Sequence, residues 1–161
     1  PLFGSVDFMS SVPGDYAIEI ISRDEVSAEY LGAAFHGRAE GAYMRVRKTD
    51  FESGTPYSTS THFIAKDIFD RFPRDADRKV KIARLVRDHS GRAIKDCRER
   101  ISVVAVDYEE AGLLQCPYAA PAGKIVRVFV DANGVVLYLG VLLFRNDRFG
   151  IERDITSLIL S

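Results

Sequence analysis

Two apolar runs, Lys124-Ile125-Val126-Arg127-Val128-Phe129-Val130 and Val135-Val136-Leu137-Tyr138-Leu139-Gly140-Val141-Leu142-Leu143-Phe144, flank the tetrapeptide Asp131-Ala132-Asn133-Gly134. Asn-Gly is a strong hairpin signal because both residues tolerate positive φ, so the runs read as antiparallel strands about a tight turn. The second run is apolar at alternate and intervening positions alike. Such a strand belongs in the middle of a sheet with both faces covered.

Working back from this hairpin, Ile94 to Val106 reads as a strand ending at Asp107. The Asp107 side chain can cap a helix over Tyr108 to Gln115, with Glu110 at the capping-box position and Pro117 beyond the end. Further upstream, Ala42, Met44 and Val46 alternate with Tyr43, Arg45 and Arg47, the period-two pattern of a strand with one buried face. Both arginines then point the same way. The cluster Glu52-Ser53-Gly54-Thr55-Pro56 turns this strand into a second one, Tyr57 to Ile64. Between the hairpins, Ala65 to Phe72 reads as a short helix stopped by Pro73, and Lys79 to His89 as a second helix closed by Gly91. At the two ends, Ile18 to Ile21 reads as a short strand leading into a short helix from Ser27 that closes at Gly32 or Gly37. Phe149 to Ile155 is expected to add a last strand. The order describes one α+β domain over residues 1–161, a largely antiparallel sheet with helices packed on it.

Composition limits the function classes. The 161 residues, 47% of them apolar, suffice for a core without metals or disulfides. The 22 basic and 23 acidic residues leave a formal charge of -1, so no whole-domain field draws the chain to nucleic acid or to an anionic membrane. Cys97 and Cys116 have neither CxxC spacing nor a His/Cys cluster beside them, and read as two reduced thiols of a cytoplasmic protein. No run approaches the roughly 18 apolar residues of a membrane span, and Pro1 to Ser10 lacks the pattern of a secretion leader. Opening on Pro1-Leu2-Phe3 without an initiator Met, the chain is expected to be a piece of something longer.

Several of these segments, taken in order, carry a family likeness. Arg98-Glu99-Arg100-Ile101-Ser102-Val103-Val104-Ala105-Val106-Asp107, then Glu109-Glu110-Ala111-Gly112-Leu113-Leu114, then the hairpin ending in Tyr138 to Phe144 and Arg145-Asn146-Asp147-Arg148-Phe149, follow one another as in that family. Upstream, Arg45-Val46-Arg47 and Gly54-Thr55-Pro56 match its Arg-x-Arg strand and Gly-x-Pro hairpin. The chain thus resembles, over residues 16 to 155, the UTRA effector domain of HutC-branch GntR transcriptional repressors. The resemblance implies a chorismate-lyase-like fold that binds a small effector and forms a homodimer. It also implies that operator DNA is met only through an N-terminal winged helix-turn-helix, which is absent from this chain. No cofactor or metal is implied.

Site residues follow from residue chemistry and resemblance together. Arg45 and Arg47, two apart on a strand, could converge on one carboxylate or phosphate, and the resemblance places them in the anion-binding part of the effector site. Their spacing alone also fits a solvated strand face. Ser58, Ser60 and His62 share one strand face and can present hydrogen bonds to a polar ligand, while His62 equally fits a satisfied structural histidine. Many relatives carry Glu where Ser60 stands, and the change removes the acceptor that an amino-sugar effector needs. A Ser-x-Tyr pair of sugar-phosphate-sensing relatives falls on Lys81 and Ala83, so Lys81 becomes either the cationic partner of an anion or an exposed helix lysine. Tyr138 and Phe144 lie on the central strand, with Phe144 replacing a family Tyr that meets ligand, although core packing accounts for both as well. Arg98, Arg100 and Ser102 read as structural or surface residues. Asp147 and Arg148 are expected to form a turn-stabilising ion pair.

Three readings compete. The first is an effector-sensing domain whose small, carboxylate- or phosphate-bearing ligand alters the operator affinity of attached DNA-binding domains. The second is a chorismate-lyase-like enzyme, but Val135 to Val141, where that family carries its catalytic Glu, contains no carboxylate. The third is a ligand-free dimerisation domain.

Overall fold

The computed structural model describes residues 14–32 and 36–161, so the leader reading of Pro1 to Ser10 lies outside the described residues. Six strands, β1 (Tyr16–Ser27), β2 (Ala42–Glu52), β3 (Thr55–Ala65), β4 (Asp96–Ala105), β5 (Pro121–Val130) and β6 (Val136–Arg145), form one sheet in the order β1-β2-β3-β6-β5-β4. Every neighbouring pair is antiparallel. The helices are short: α1 (Lys66–Phe69), α2 (Ile82–His89), α3 (Tyr108–Leu114) and α4 (Thr156–Ile159), with 3-10 turns at Ala28–Leu31, Ala76–Arg78 and Asn146–Arg148.

β6 takes the central place that its two apolar faces demand, hydrogen-bonded to β3 on one side and β5 on the other. Val136, Leu137 and Tyr138 are fully buried in the main core with Tyr43, Val46, Ile64 and Val86. The β5–β6 turn differs from the expected Asn-Gly form with positive φ at both residues. Gly134 alone among its residues has positive φ, +76°, and Asp131 makes the loop: its backbone N–H donates to the Val135 carbonyl, and its Oδ1 accepts from the Asn133 and Val135 amides at 2.9 and 3.0 Å. An Asx-type loop with one left-handed glycine closes the hairpin.

Three other expectations are corrected. β1 is twelve residues long rather than confined to Ile18–Ile21; exposure alternates along the whole strand, but polar Ser22 and Asp24 take the less exposed positions after Ile20, so the apolar pattern that would have shown it stops there. The two middle helices shrink to Lys66–Phe69 and Ile82–His89, leaving Lys81 as the extended residue that precedes α2. No strand forms over Phe149 to Ile155. β1 and β4 hold both edges of the sheet, and Phe149 instead turns back over Gly123, where any Cβ would collide with its ring, and packs 5.5 Å from Phe144. The expected Asp147–Arg148 pair is also replaced. The 3-10 turn sets Asp147 against one guanidinium edge of Arg145, whose Nε and Nη2 each donate at 3.0 Å, and sends Arg148 to Glu52 at 3.2 Å. Hydrogen bonding from Arg145 holds the Asp147 carboxyl below its usual range.

Among the described residues no helix is long and apolar enough to cross a membrane. Cys97 on β4 and Cys116 after α3 are both free thiols.

The capping box on α3 is complete: Asp107 accepts from the Glu110 amide and Glu110 accepts from the Asp107 amide, each at 2.8 Å. Because a helix of seven residues has little else to fix its start, Asp107→Ala is expected to lower unfolding free energy by about 1 kcal/mol, and Asp107→Asn by only a fraction of that, in urea denaturation followed by circular dichroism.

Candidate functional site

Registers across four strands bring polar residues together on the sheet face that α2 covers. Val46 lies opposite His62, His62 opposite Gly140, and Gly140 opposite Arg127. In the next row Lys48 faces Ser60 and Ser60 faces Leu142; in the row after that Asp50 faces Ser58 and Ser58 faces Phe144. Side chains two apart along a strand share a face, so Lys48 and Asp50 point with Ser58, His62 and Arg127 into one cavity, while Val46 on the same face joins the apolar core. Tyr16 and Tyr57 wall it on one side, Lys81, Ile82 and Ala83 close it from α2, and Tyr138, Leu142 and Phe144 complete the lining.

Charge inside the cavity is arranged in two groups. Lys48, 3% exposed, donates to both Asp50 oxygens at 2.6 and 2.8 Å, and the Tyr16 hydroxyl donates to the same carboxylate. Burial, followed by the Asp50 charge, pushes the Tyr16 phenol far up, so it stays a donor. The second group is a chain. His62 Nε2 is 2.8 Å from Ser60 Oγ and Nδ1 is 2.7 Å from the Tyr138 hydroxyl. Complete burial, then the nearby charges of Lys48 and Arg127, hold the imidazole well below its usual range. Burial also raises the Tyr138 phenol. Gly140 makes this chain possible, since a methyl group at that position would strike the Tyr138 hydroxyl. Arg127, itself 3% exposed, donates from Nε to Glu99 at 2.6 Å. Lys81 lies 5.7 Å above the Tyr16 ring.

The serine, histidine and tyrosine chain has the distances of a nucleophile-and-base pair but not its electrostatics. An activated serine needs an imidazole that can accept a proton, steadied by an anionic third group. Here the third group is a neutral phenol, and two cations disfavour imidazolium. The chain is suited to hold a fixed pattern of hydrogen bonds.

Of the residues singled out in the sequence, His62, Lys81, Tyr138 and Phe144 line the cavity, and Ser60 meets it through His62. Arg45 and Arg47 sit on the opposite face of β2. Arg45 makes two bonds to Asp24, at 2.6 and 3.2 Å, and its guanidinium lies 5.6 Å from the Tyr30 ring centre; the hydrogen bond from Arg45 lowers the Asp24 carboxyl. Arg47 pairs with Glu109 at the start of α3, beside a second hollow of about 230 Å³ lined also by Ser60, Thr59 and Thr61. Lys48, Asp50, Arg127, Tyr16 and Tyr57 were not anticipated. The signal for two of them was present: the apolar row Ala42, Met44, Val46 continues directly into Lys48 and Asp50, charges placed where core residues belong.

In this form the cavity offers about 30 Å³, small against the 300–1,000 Å³ of typical metabolite sites. A metabolite therefore enters only if a wall moves.

Comparison with known proteins gives the following. Residues 14–150 match the family described as UTRA domain. No curated protein sequence matches. Among solved structures, the effector domain of PhnF from Mycobacterium smegmatis is similar with a TM-score of 0.67 at 19% identity, over 85% of this chain and 85% of that one. The C-terminal domain of histidine utilization repressor from Pseudomonas syringae pv. tomato gives 0.69 at 14% identity, over 86% and 97%. YydK from Bacillus subtilis gives 0.67 at 14% identity, over 87% of this chain and 62% of that one, so the present chain spans less than two thirds of that protein. At these identities the likeness is one of fold.

A neutral buried histidine has a consequence for stability. The unfolded chain protonates His62 below its usual value of about 6.5, whereas the folded chain resists, so stability is full above that pH and falls as pH drops toward the depressed folded value. Unfolding midpoints in urea measured from about pH 7.5 to about pH 5 are expected to decline more steeply for the wild type than for His62→Gln, which keeps hydrogen-bonding capacity without a titrating ring.

Proposed function

The chain belongs to the UTRA domain family, and on that basis we propose that it is the small-molecule-sensing domain of a GntR/HutC-type bacterial transcriptional regulator, acting in the cytoplasm. Residues 1–161 form one effector-binding unit that associates as a homodimer and reaches operator DNA through an attached winged helix-turn-helix. Ligand binding changes operator affinity by favouring one arrangement of the dimer over another. It acts by binding and not by catalysis, in keeping with the neutral Ser60–His62–Tyr138 chain.

The observation that carries the reading is the set of buried charged and polar groups between the sheet and α2: Lys48, Asp50, Ser58, His62 and Arg127 are each no more than 4% exposed. Lys48, Arg127 and Lys81 bring three cationic side chains to the cavity lining, Lys48 held by Asp50 and Arg127 by Glu99, and their convergence suits a carboxylate or phosphate. Lys81 and Arg127 meet the anion, the Ser60–His62–Tyr138 chain fixes hydrogen bonds to the polar body of the ligand, and Phe144 supplies an apolar wall. Arg45 and Arg47, held by Asp24 and Glu109 on the other face of β2, lie outside this cavity and mark the alternative site at the Arg47 hollow. The ligand-free dimerisation reading draws support from the small volume of the cavity, and the same experiment decides between them.

Thermal unfolding is measured with small carboxylates, sugar phosphates, imidazole catabolites and phosphonates at saturating concentration. A ligand at about 100 times its Kd stabilises by about 2.7 kcal/mol, which for a domain of this size corresponds to a rise in Tm of about 5 °C or more. The rise is expected to vanish in Lys81→Ala and to survive in Arg45→Ala/Arg47→Ala. Survival in the first and loss in the second would move the site to the Arg47 hollow, and no rise with any compound would favour the dimerisation domain.

A further inference from the structure

The two sides of the cavity entrance hang from elements that a single ion pair joins. Tyr16, the outer wall, lies on edge strand β1. Lys81, which reaches over its ring, ends the segment 73–81 leading into α2, and Ile82 and Ala83 follow it directly into the cavity lining. Further along β1, Arg23 donates from Nε and Nη2 to the two oxygens of Asp77 at 2.7 and 2.6 Å, with Asp75 3.7 Å away. Asp77 is 3% exposed, in the middle of that segment.

The segment carries its own backbone hydrogen bonds. Ala76 donates to the Pro73 carbonyl, Arg78 to Asp75, and Val80 to Ala76, so its backbone is tied to itself. Asp75 holds a left-handed conformation at φ +56°, uncommon for a residue with a Cβ. What fixes the segment to the sheet edge at this point is the Arg23–Asp77 fork, a charge-assisted bidentate pair whose carboxylate is buried and costly to leave unpartnered.

We infer that Arg23 and Asp77 are positioning residues that form a latch, holding the segment 73–81 and with it Lys81, Ile82 and Ala83 over the cavity, so that admission of a metabolite-sized molecule requires the latch to open. The inference rests on the cavity being the effector site, but the latch itself is a property of the fold that can be read without any effector. When Asp77 swings toward solvent its carboxylate is rehydrated, the segment leaves β1 as one piece, and the Lys81 side of the entrance separates from Tyr16. The latch thereby governs entry and escape, while the cavity residues govern what is held.

The test is access of a small methanethiosulfonate reagent to Ser58→Cys, which lies at the cavity floor and is 2% exposed as serine, in a Cys97→Ser/Cys116→Ser background. Labelling under native conditions is expected to accelerate by about tenfold in Asp77→Asn and in Arg23→Ala, and by less in Arg23→Lys, which keeps the charge but loses the fork. The control is Arg45→Ala, which breaks the comparable two-point pair with Asp24 on the same edge strand but touches no cavity wall. Unchanged labelling in the Arg23 and Asp77 variants, labelling in none of the proteins, or an equal acceleration in Arg45→Ala would each overturn the latch. Thermal unfolding of every variant confirms that it is folded at the labelling temperature, with Asp77→Asn and Arg23→Lys as the mild changes if Arg23→Ala is not. Because no effector is present, an orphan cavity and a false latch give different results: the first leaves the acceleration intact and the thermal shifts absent, the second removes the acceleration whatever binds.

Discussion

Burial of charge in the middle of an antiparallel sheet is the constraint to which the other features answer. A lysine and a carboxylate taken out of water cost several kcal/mol each, and mutual attraction offsets that cost only when the geometry is good and the remaining hydrogen-bonding capacity is filled. Lys48 and Asp50 meet the condition through two short bonds to each other and a third from Tyr16. The pair needs β1 beside β2 to bring Tyr16 into place and β3 on the other side to supply Ser58 and Ser60. It also needs the apolar bulk of β6 and α2 to keep water out. A well-packed apolar pair would hold the same sheet together at least as well, so the charges are poorly explained by stability alone.

The hydrogen-bond chain beside that pair shows how far one glycine reaches. Gly140 leaves the space into which the Tyr138 hydroxyl extends, Tyr138 fills one ring nitrogen of His62, and Ser60 fills the other. Each buried polar atom thereby has a partner, and among the described residues no buried side-chain nitrogen or oxygen is left unsatisfied. Ser60, His62 and Tyr138 come from two strands that pair directly, so the orientation of the imidazole is set by ladder register and not by a loop.

Much of the fold was legible because its signals are local. The Asp131–Gly134 turn, the Asp107 cap and the doubly apolar β6 each depend on residues within a few positions of one another. The errors fall where local pattern and tertiary position disagree. Phe149 has the look of a strand residue and serves as a lid on Gly123, a contact made across 26 positions that no periodicity encodes. Arg45 and Arg47 are conspicuous in the sequence as a spaced cationic pair, yet their carboxylate partners come from β1 and α3, and only the assembled sheet shows which face of β2 is inward. Lys48, Asp50 and Arg127 were overlooked for the converse reason. Charged residues on an apolar row look like the end of a strand until the neighbouring strands are seen to enclose them.

The order of strands in the sheet also dictates an order of events. β1, β2 and β3 form one meander and β4, β5 and β6 form another, and each pairs residues close in sequence apart from the α3 excursion. The β3–β6 ladder, joining Ser58–Ile64 to Tyr138–Phe144, stitches the halves together, with the parallel bridge of Arg38 to Val135 beside it. Closing so long a loop carries an entropic penalty that neither meander faces on its own, so the two halves can assemble early and this seam late. His62 and Tyr138 lie on opposite sides of the seam, with Lys48 in one half and Arg127 in the other. With that seam open the chain possesses two half-sheets and no enclosed polar cavity, which comes into being only with the final act of folding.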